Sequence, residues 1–352
     1  MGVSSFSFVR PIAITDAMLT SSTVPEAVAA TYAGGTTYAL GDRVGLAPVD
    51  GQPQIVYESL QAANTGHTPA SSPTWWKISG NVYPAYSAAV TYGLGDVVSN
   101  IGANVHELYE SLSAGNVGNA LTLASKWLNL GATNRWKMFD QIAASQTTDG
   151  ATITTVIAPG VLVNSAVFAN LSGTSIRVQQ SISGYDRTIE LNSHVVADWY
   201  AWFYEPIQTR DEAPFMDVPP FPAAVLTITL TGVDGVAACG VCVLGQAAYV
   251  GETQWGFSRS INDYSRVTED AWGGLVLTPG GYSKLMSVDV HIPAGYESHV
   301  THLLTGIRAT IVMFVATTEI DSATIYGTLG RNWTVPFTNV GGVAKLEIRG
   351  LT

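Results

Sequence analysis

Between residues 31 and 131 the apolar side chains come in short runs bounded by Gly, Asn and Asp, with no helical spacing. From residue 141 onward, short runs rich in Val, Ile, Thr and Leu alternate with Gly/Ser/Thr/Asn turns. This pattern predicts strands. They fall near 152–158, 161–168, 175–181, 187–191, 195–204, 225–231, 236–244, 275–278, 284–292, 310–316, 324–329 and 343–349. One segment has the helical period. In Glu297–Arg308, Val300, Leu303, Leu304 and Ile307 recur at i, i+3, i+4 and i+7. Residues 205–222 carry Pro206, Pro214, Pro219, Pro220 and Pro222 and read as a stiff extended loop. The expected fold is all-β: two small β-rich repeats, then one or two β-sandwiches with one short helix.

The repeats are written into the chain. TYALGDRV at 37–44 returns as TYGLGDVV at 91–98, and VYESL at 56–60 returns as LYESL at 108–112. Asn64-Thr65-Gly66 matches Asn116-Val117-Gly118, and each copy closes on a tryptophan and a glycine, Trp76 to Gly80 and Trp127 to Gly131. The spacing between copies shrinks from 54 residues at Tyr38/Tyr92 to 51 at Trp76/Trp127, so small deletions sit in loops between fixed anchors. A period of about fifty residues marks a duplicated structural unit. Gly41 and Gly95 supply a turn conformation that other residues avoid, and Asp42 and Asp96 can bond nearby backbone amides. Units this small have little core, so their aromatics must pack them. The resulting division is an N-terminal arm (1–30), repeat 1 (31–80), repeat 2 with a linker (81–140), and a β-sandwich-type scaffold (141–352), as one body or two divided at 205–222. The arm, apolar at Phe6, Phe8, Val9, Ile12 and Ile14, reads either as a strand for a partner's sheet or as a strand of this chain's own last domain.

The order Tyr…Gly-Asp-x-Val…Tyr…Asn-x-Gly…Pro…Trp-Trp resembles the small chitin-binding-type carbohydrate modules of families 5 and 12. Copy one carries Thr68-Pro69 and Ser72-Pro73-Thr74-Trp75-Trp76; copy two has no such prolines, and Lys126 replaces the first tryptophan. The resemblance implies sugar contact through Tyr38, Tyr57, Trp75 and Trp76 in copy one and Tyr92, Tyr109 and Trp127 in copy two. Aromatic faces suit the apolar faces of sugar rings. The competing reading is that Tyr57, Tyr109, Trp76 and Trp127 form the cores of the units. Alternation along a strand would turn Trp75 outward if Trp76 turns inward.

Composition narrows the classes. Only 12% of the 352 residues are charged, against about 25% in ordinary soluble proteins. Much of such a surface is expected to be covered by neighbours, because interface cores are depleted of charge. The net charge of −11, with no basic run, argues against nucleic acid. No stretch of about twenty apolar residues is present to span a membrane. The first residues lack the pattern of a secretory signal, and Met1-Gly2 with Ser5 fits a myristoylation pattern by chance. Cys239 and Cys242 sit in an apolar run, three residues apart on a strand, and read as inert thiols on opposite faces.

The stretch Asn134-Arg135-Trp136-Lys137-Met138-Phe139-Asp140 following such repeats is similar to tail and baseplate-associated proteins of bacteriophages and prophages, as are Asp198-Trp199-Tyr200, Asp263-Tyr264-Ser265 and Leu346-Glu347-Ile348. That resemblance implies a structural protein of the virion tail tip, made in the host bacterial cytoplasm and present in several copies. Its partners would be hub, distal-tail and receptor-binding proteins, with host-surface polysaccharide beyond them.

No catalytic constellation emerges. The chain has no Gly-x-Ser-x-Gly, HExxH or phosphate loop, and no cofactor motif. His299 and His302 share a helix face with Glu297 nearby but lack further metal ligands. Asp198 and Glu205 bracket an aromatic run, yet on a strand they stand over 20 Å apart, at about 3.3 Å per residue. Asp263 reads as a turn former. A free carbohydrate-binding accessory protein or glycan-degrading enzyme is the alternative, and repeats serving purely as spacers are a third reading.

Overall fold

The computed structural model describes residues 5–46, 53–102, 104–191, 198–204, 209–269, 272–318, 320, 323–338 and 340–351. The protein is all-β. The arm carries β1 (Ser5–Val9) and β2 (Leu19–Ser22). Repeat 1 is β3 (Arg43–Gly45), β4 (Gln54–Ser59) and β5 (Trp76–Val82); repeat 2 is β6 (Val97–Asn100), β7 (Glu107–Ser111) and β8 (Trp127–Ala132). Next come β9 (Thr147–Ile157), β10 (Ser165–Ser172), β11 (Ser175–Gln180), β12 (Asp186–Glu190), the short helical segment α1 (Trp199–Tyr204), β13 (Glu212–Phe215) and β14 (Leu226–Gly245). The last part is β15 (Ala247–Thr253), β16 (Ser258–Asp263), β17 (Arg266–Glu269), β18 (Leu275–Thr278), β19 (Tyr282–Ile292), α2 (Glu297–Gly306), β20 (Val312–Val315), β21 (Thr324–Leu329) and β22 (Gly342–Gly350).

The two repeats are separate three-stranded antiparallel sheets with the same topology, β3-β4-β5 and β6-β7-β8. Their irregularities also repeat. A bulge falls between Val56 and Tyr57 in one and between Leu108 and Tyr109 in the other. Isolated bridges join Tyr38 to Asn64 and Tyr92 to Asn116.

Residues 147–245 build a sheet with β14 at its centre. β9 pairs along one edge of β14, while β11 and then β10 share the other; β12, β13 and β2 extend it. β14 joins the two strands expected at 225–231 and 236–244 into one, with an irregularity between Thr231 and Val236. The second large sheet runs β15-β1-β20-β21-β22-β19-β16, and β15 also pairs β19, so six of its strands close into a ring. Strand β1 lies between β15 and β20, which settles the arm as a strand of this chain's own last sheet.

Three apolar layers hold the scaffold together. Within the ring, Phe6, Phe8, Val288, Val290, Phe314 and Leu346 pack with Val300, Leu304 and Ile307 of α2. On its outer side, Val9, Met313, Val315 and Tyr326 meet Val167, Ala169, Val241 and Val243 of β10 and β14. The other face of β14 joins a third core with Phe168, Phe215, Ile153 and Trp136. The alternation Val312/Phe314 against Met313/Val315 is the period of a strand buried on both faces.

Four expectations need correction. Residues 199–204 are helical rather than part of a 195–204 strand; 192–197 and 205–208 lie outside the described residues. The proline-rich loop 205–222 contains β13, which pairs with β10 as an edge strand, a position that tolerates Pro214. The segments 247–253, 258–263 and 266–269 form strands that were not expected. Cys239 and Cys242 face the same core rather than opposite faces. Asn170, opposite Gly240 and at φ 54°, breaks the alternation of both strands there. A Cβ on Gly240 would stand 2.7 Å from Asn170 Cβ, so glycine lets the strands close at that break.

Trp136 is 0% exposed, with its ring against Phe139 and His106. It anchors the linker after repeat 2 in the core beneath β14. Trp136→Ala is expected to cost about 3–5 kcal/mol. Chemical denaturation followed by circular dichroism checks this; a loss below about 1 kcal/mol would contradict the anchor.

Candidate functional site

The core of each repeat is one triangle of aromatic rings. In repeat 1 the Tyr32–Tyr38, Tyr32–Trp76 and Tyr38–Trp76 centroids lie 5.8, 6.0 and 5.2 Å apart, with interplanar angles of 27°, 88° and 70°. In repeat 2 the Tyr86–Tyr92, Tyr86–Trp127 and Tyr92–Trp127 values are 6.0, 5.7 and 5.3 Å at 24°, 89° and 71°. The polar frame is equally duplicated. Asp42 Oδ2 accepts from Ala39 N–H at 2.7 Å, and Asp96 Oδ2 from Gly93 N–H at 2.6 Å. Asn64 Nδ2 donates to Ser59 Oγ at 2.9 Å, and Asn116 Nδ2 to Ser111 Oγ at 3.0 Å. Gly41 and Gly95 sit at φ 87° and 86°, as the turn requires.

This frame consumes most of the aromatics singled out for sugar contact. Tyr38, Tyr57, Trp76, Tyr92 and Trp127 are buried. Trp76 Nε1 donates to His67 O at 2.7 Å and Trp127 Nε1 to Asn119 O at 3.1 Å. Tyr109 is half-buried; its hydroxyl donates to Glu107 Oε2 at 2.6 Å, which pushes the phenol up to about 12. Trp75 precedes β5, half-buried at the edge of the cluster. Its ring lies flat on the His67 imidazole, centroids 3.8 Å and planes 10° apart. Repeat 2 places Lys126 and Asn119 at those positions, with Lys126 Nζ donating to Ser113 Oγ at 3.2 Å. The Trp75–His67 plate therefore exists in repeat 1 alone.

The other sequence candidates do not converge. The Cys239 thiol is buried and pushed up to about 12 by desolvation, and Cys242 is raised well above the usual range. His299 and His302 are exposed on α2, and no group of three potential metal ligands forms among the described residues. Asp263 Oδ1 accepts from Ser265 N–H at 2.8 Å, a turn-forming bond. Glu205, the proposed partner of Asp198, lies outside the described residues. Trp199 and Phe203 are exposed on α1 instead of forming a strand's buried face.

Two features went unread in the sequence. First, a cleft of about 250 Å³ between the large sheets holds Asp211, Glu212 and Lys284. Lys284 Nζ meets Glu212 Oε1 at 2.6 Å and also pairs with Asp211; Arg259 Nη2 lies 3.2 Å from Glu212 Oε1. Burial, reinforced by the Asp211 charge, pushes the Glu212 carboxyl up to about 7. Burial also acts to raise Asp211, but Glu212 and Lys284 outweigh it and hold that carboxyl low. The only signal in the sequence was two adjacent acids in a charge-poor chain. Second, β16–β19 continues into the two-stranded ribbon β17–β18, where Val267, Leu275, Val276 and Leu277 are exposed and Trp272 is 95% exposed. Tyr200 and Tyr204 of α1 are likewise exposed.

No family model, no curated protein and no solved structure matches this chain. Among the described residues, no helix is long and apolar enough to cross a membrane.

The charged cluster ties the two sheets together. Lys284→Met, which removes the closest cation from buried Glu212 while leaving it Arg259 at 3.2 Å, is expected to destabilise the protein by up to about 3 kcal/mol in urea titration. Adding Glu212→Gln should recover part of that loss; an unchanged midpoint in the single variant would show the cluster to be energetically idle.

Proposed function

We propose that the chain is a structural component of a bacteriophage tail tip or baseplate, docking to other tail proteins through its scaffold and presenting the small repeats outward. The observation that carries this reading is the exposed apolar ribbon. A two-stranded ribbon alone is marginal in water, and large contiguous apolar surface usually marks an interaction site. On the ribbon, Val267, Leu275, Val276 and Leu277 need a neighbour to leave water. The charge-poor composition agrees, and the order of repeats followed by Asn134–Asp140 supports placement at the tail tip. Mass spectrometry of purified particles tests it: the chain is expected at a fixed ratio to known tail proteins. Recovery only as free protein would overturn the reading.

Contact with host-surface glycan is supported by the Trp75–His67 plate, which leaves part of the indole exposed in repeat 1. The same plate would serve a free carbohydrate-binding accessory protein, so it does not separate the two. Weak binding per module would still matter in an assembly of several copies. On a glycan array, Trp75→Ala is expected to lower binding at least tenfold while Lys126→Ala leaves it unchanged. Absence of binding by the unaltered chain would leave the repeats as spacers.

A further inference from the structure

Repeat 1 rests on the scaffold along a seam between β5 and the start of β9. Gly150 approaches so closely that a Cβ there would stand 3.0 Å from Ile78 O, and Pro25 meets Gly80 in the same way. Asn134 pins the seam from the linker: its Nδ2 donates to Thr148 O at 2.7 Å, and its Oδ1 accepts from Thr148 N–H at 3.0 Å. Asp149 stands in the middle, 7% exposed. Its Oδ1 accepts from Gly150 N–H at 2.8 Å and lies 3.5 Å from Ser79 Oγ of β5, too long for a strong charged hydrogen bond.

The nearby cations are committed elsewhere. Arg43 of β3 and Lys77 of β5 both bind Glu58 of β4, each at 2.9 Å. Arg135 of the linker binds Glu26 at 3.2 Å. Thr23, following β2, offers only a hydroxyl. Seating repeat 1 therefore removes the Asp149 carboxylate from water without giving it an ion pair, a cost the neutral acid avoids.

We propose that this seam is a pH-sensitive seat, closed on repeat 1 when Asp149 carries a proton and loosened when it is charged. The electrostatics agree. Burial raises the Asp149 carboxyl to about 6, against the weaker pull of Gly150 N–H, Arg43 and Lys77. For Glu58, burial is outweighed by Lys77 and Arg43, which hold its carboxyl below the usual range, so it stays charged throughout. The seated form binds the Asp149 proton more tightly than a released form would. The seat is thus strongest below the ordinary carboxylate value of 3.8 and loses strength as pH rises through about 6. A difference of about two units corresponds to at most a hundredfold change in the seating equilibrium.

Spin labels at Ala62→Cys on repeat 1 and Thr188→Cys on β12 report the seat in the whole chain, since Cys239 and Cys242 are buried. Electron–electron distance measurements should give one narrow distance at pH 5. At pH 8 the share of longer distances should rise severalfold, to about tenfold at most, because much of the proton-linked change is already spent at pH 5. Asp149→Asn, which cannot ionise, should hold the narrow distance at both pH values. The same distribution at pH 5 and pH 8 in the unaltered seat would overturn the proposal, as would an undiminished pH response in Asp149→Asn. Should that variant misfold, the pH comparison in the native seat decides by itself. Neither result depends on whether the chain belongs to a tail.

Discussion

The scaffold depends on β14 having no wet face near its C-terminal end. Val241 and Val243 point into the layer shared with the ring, while Cys242 and Leu244 point into the core beneath β10 and Trp136. The chain then passes from β14 to β15 through Gln246 alone, so the strand that closes one sheet leads directly into the ring of the other. Gly245 belongs to this constraint, because a Cβ there would come within 2.2 Å of Arg10 O. The apolar layer, the short connection and the close approach of the arm act together. The two sheets behave as one body because separating them would expose both sides of a double layer, at about 25 cal/mol for every Å² of apolar surface uncovered.

The repeats solve the opposite problem. A fifty-residue unit has too little volume for a layered core, so one triangle of two tyrosines and a tryptophan replaces it. The ring angles agree within about three degrees between copies, although most residues between the anchors differ. That agreement explains why the aromatics recur: the geometry is set by packing and by the indole N–H reaching a loop carbonyl. Function, where a repeat has it, must use what the triangle leaves over. Trp75 on His67 is such a remainder, and repeat 2 lacks it.

Legibility followed burial. Elements with one strong periodicity were readable: α2 from Val300, Leu304 and Ile307, and β14 from its apolar run. The repeats were readable because the same anchors occur twice. The strand β13 was hidden by prolines, since sequence alone does not say which edge of a strand is free. The helical segment α1 was hidden because five of its six residues are aromatic, and the exposure of Trp199, Tyr200, Phe203 and Tyr204 leaves no alternation to betray a helix. The shared face of Cys239 and Cys242 was hidden by Asn170, a residue that breaks parity on the neighbouring strand. The Asp211–Glu212–Lys284 cluster joins residues more than seventy positions apart, and no local pattern records such a meeting.

Sparse charge gives the buried charges a common role. Glu212 with Lys284 and Arg259 lies between the two large sheets. Glu26 lies between the arm and repeat 2, bound by Arg135 and Thr133, with His106 Nδ1 at 2.9 Å. Asp149 lies between repeat 1 and β9. Apolar contact would hold these bodies together in many relative orientations, because it has no direction. A buried carboxylate accepts only arrangements in which its partners are met, so each cluster selects one orientation at some cost in stability. Asp149 differs from the other two in having no cation within contact among the described residues, so the orientation it selects is the one held least firmly. With Asp149 acting as proposed, repeat 1 is the body whose position responds to pH, while Lys284 and Arg259 hold Glu212 between the two large sheets.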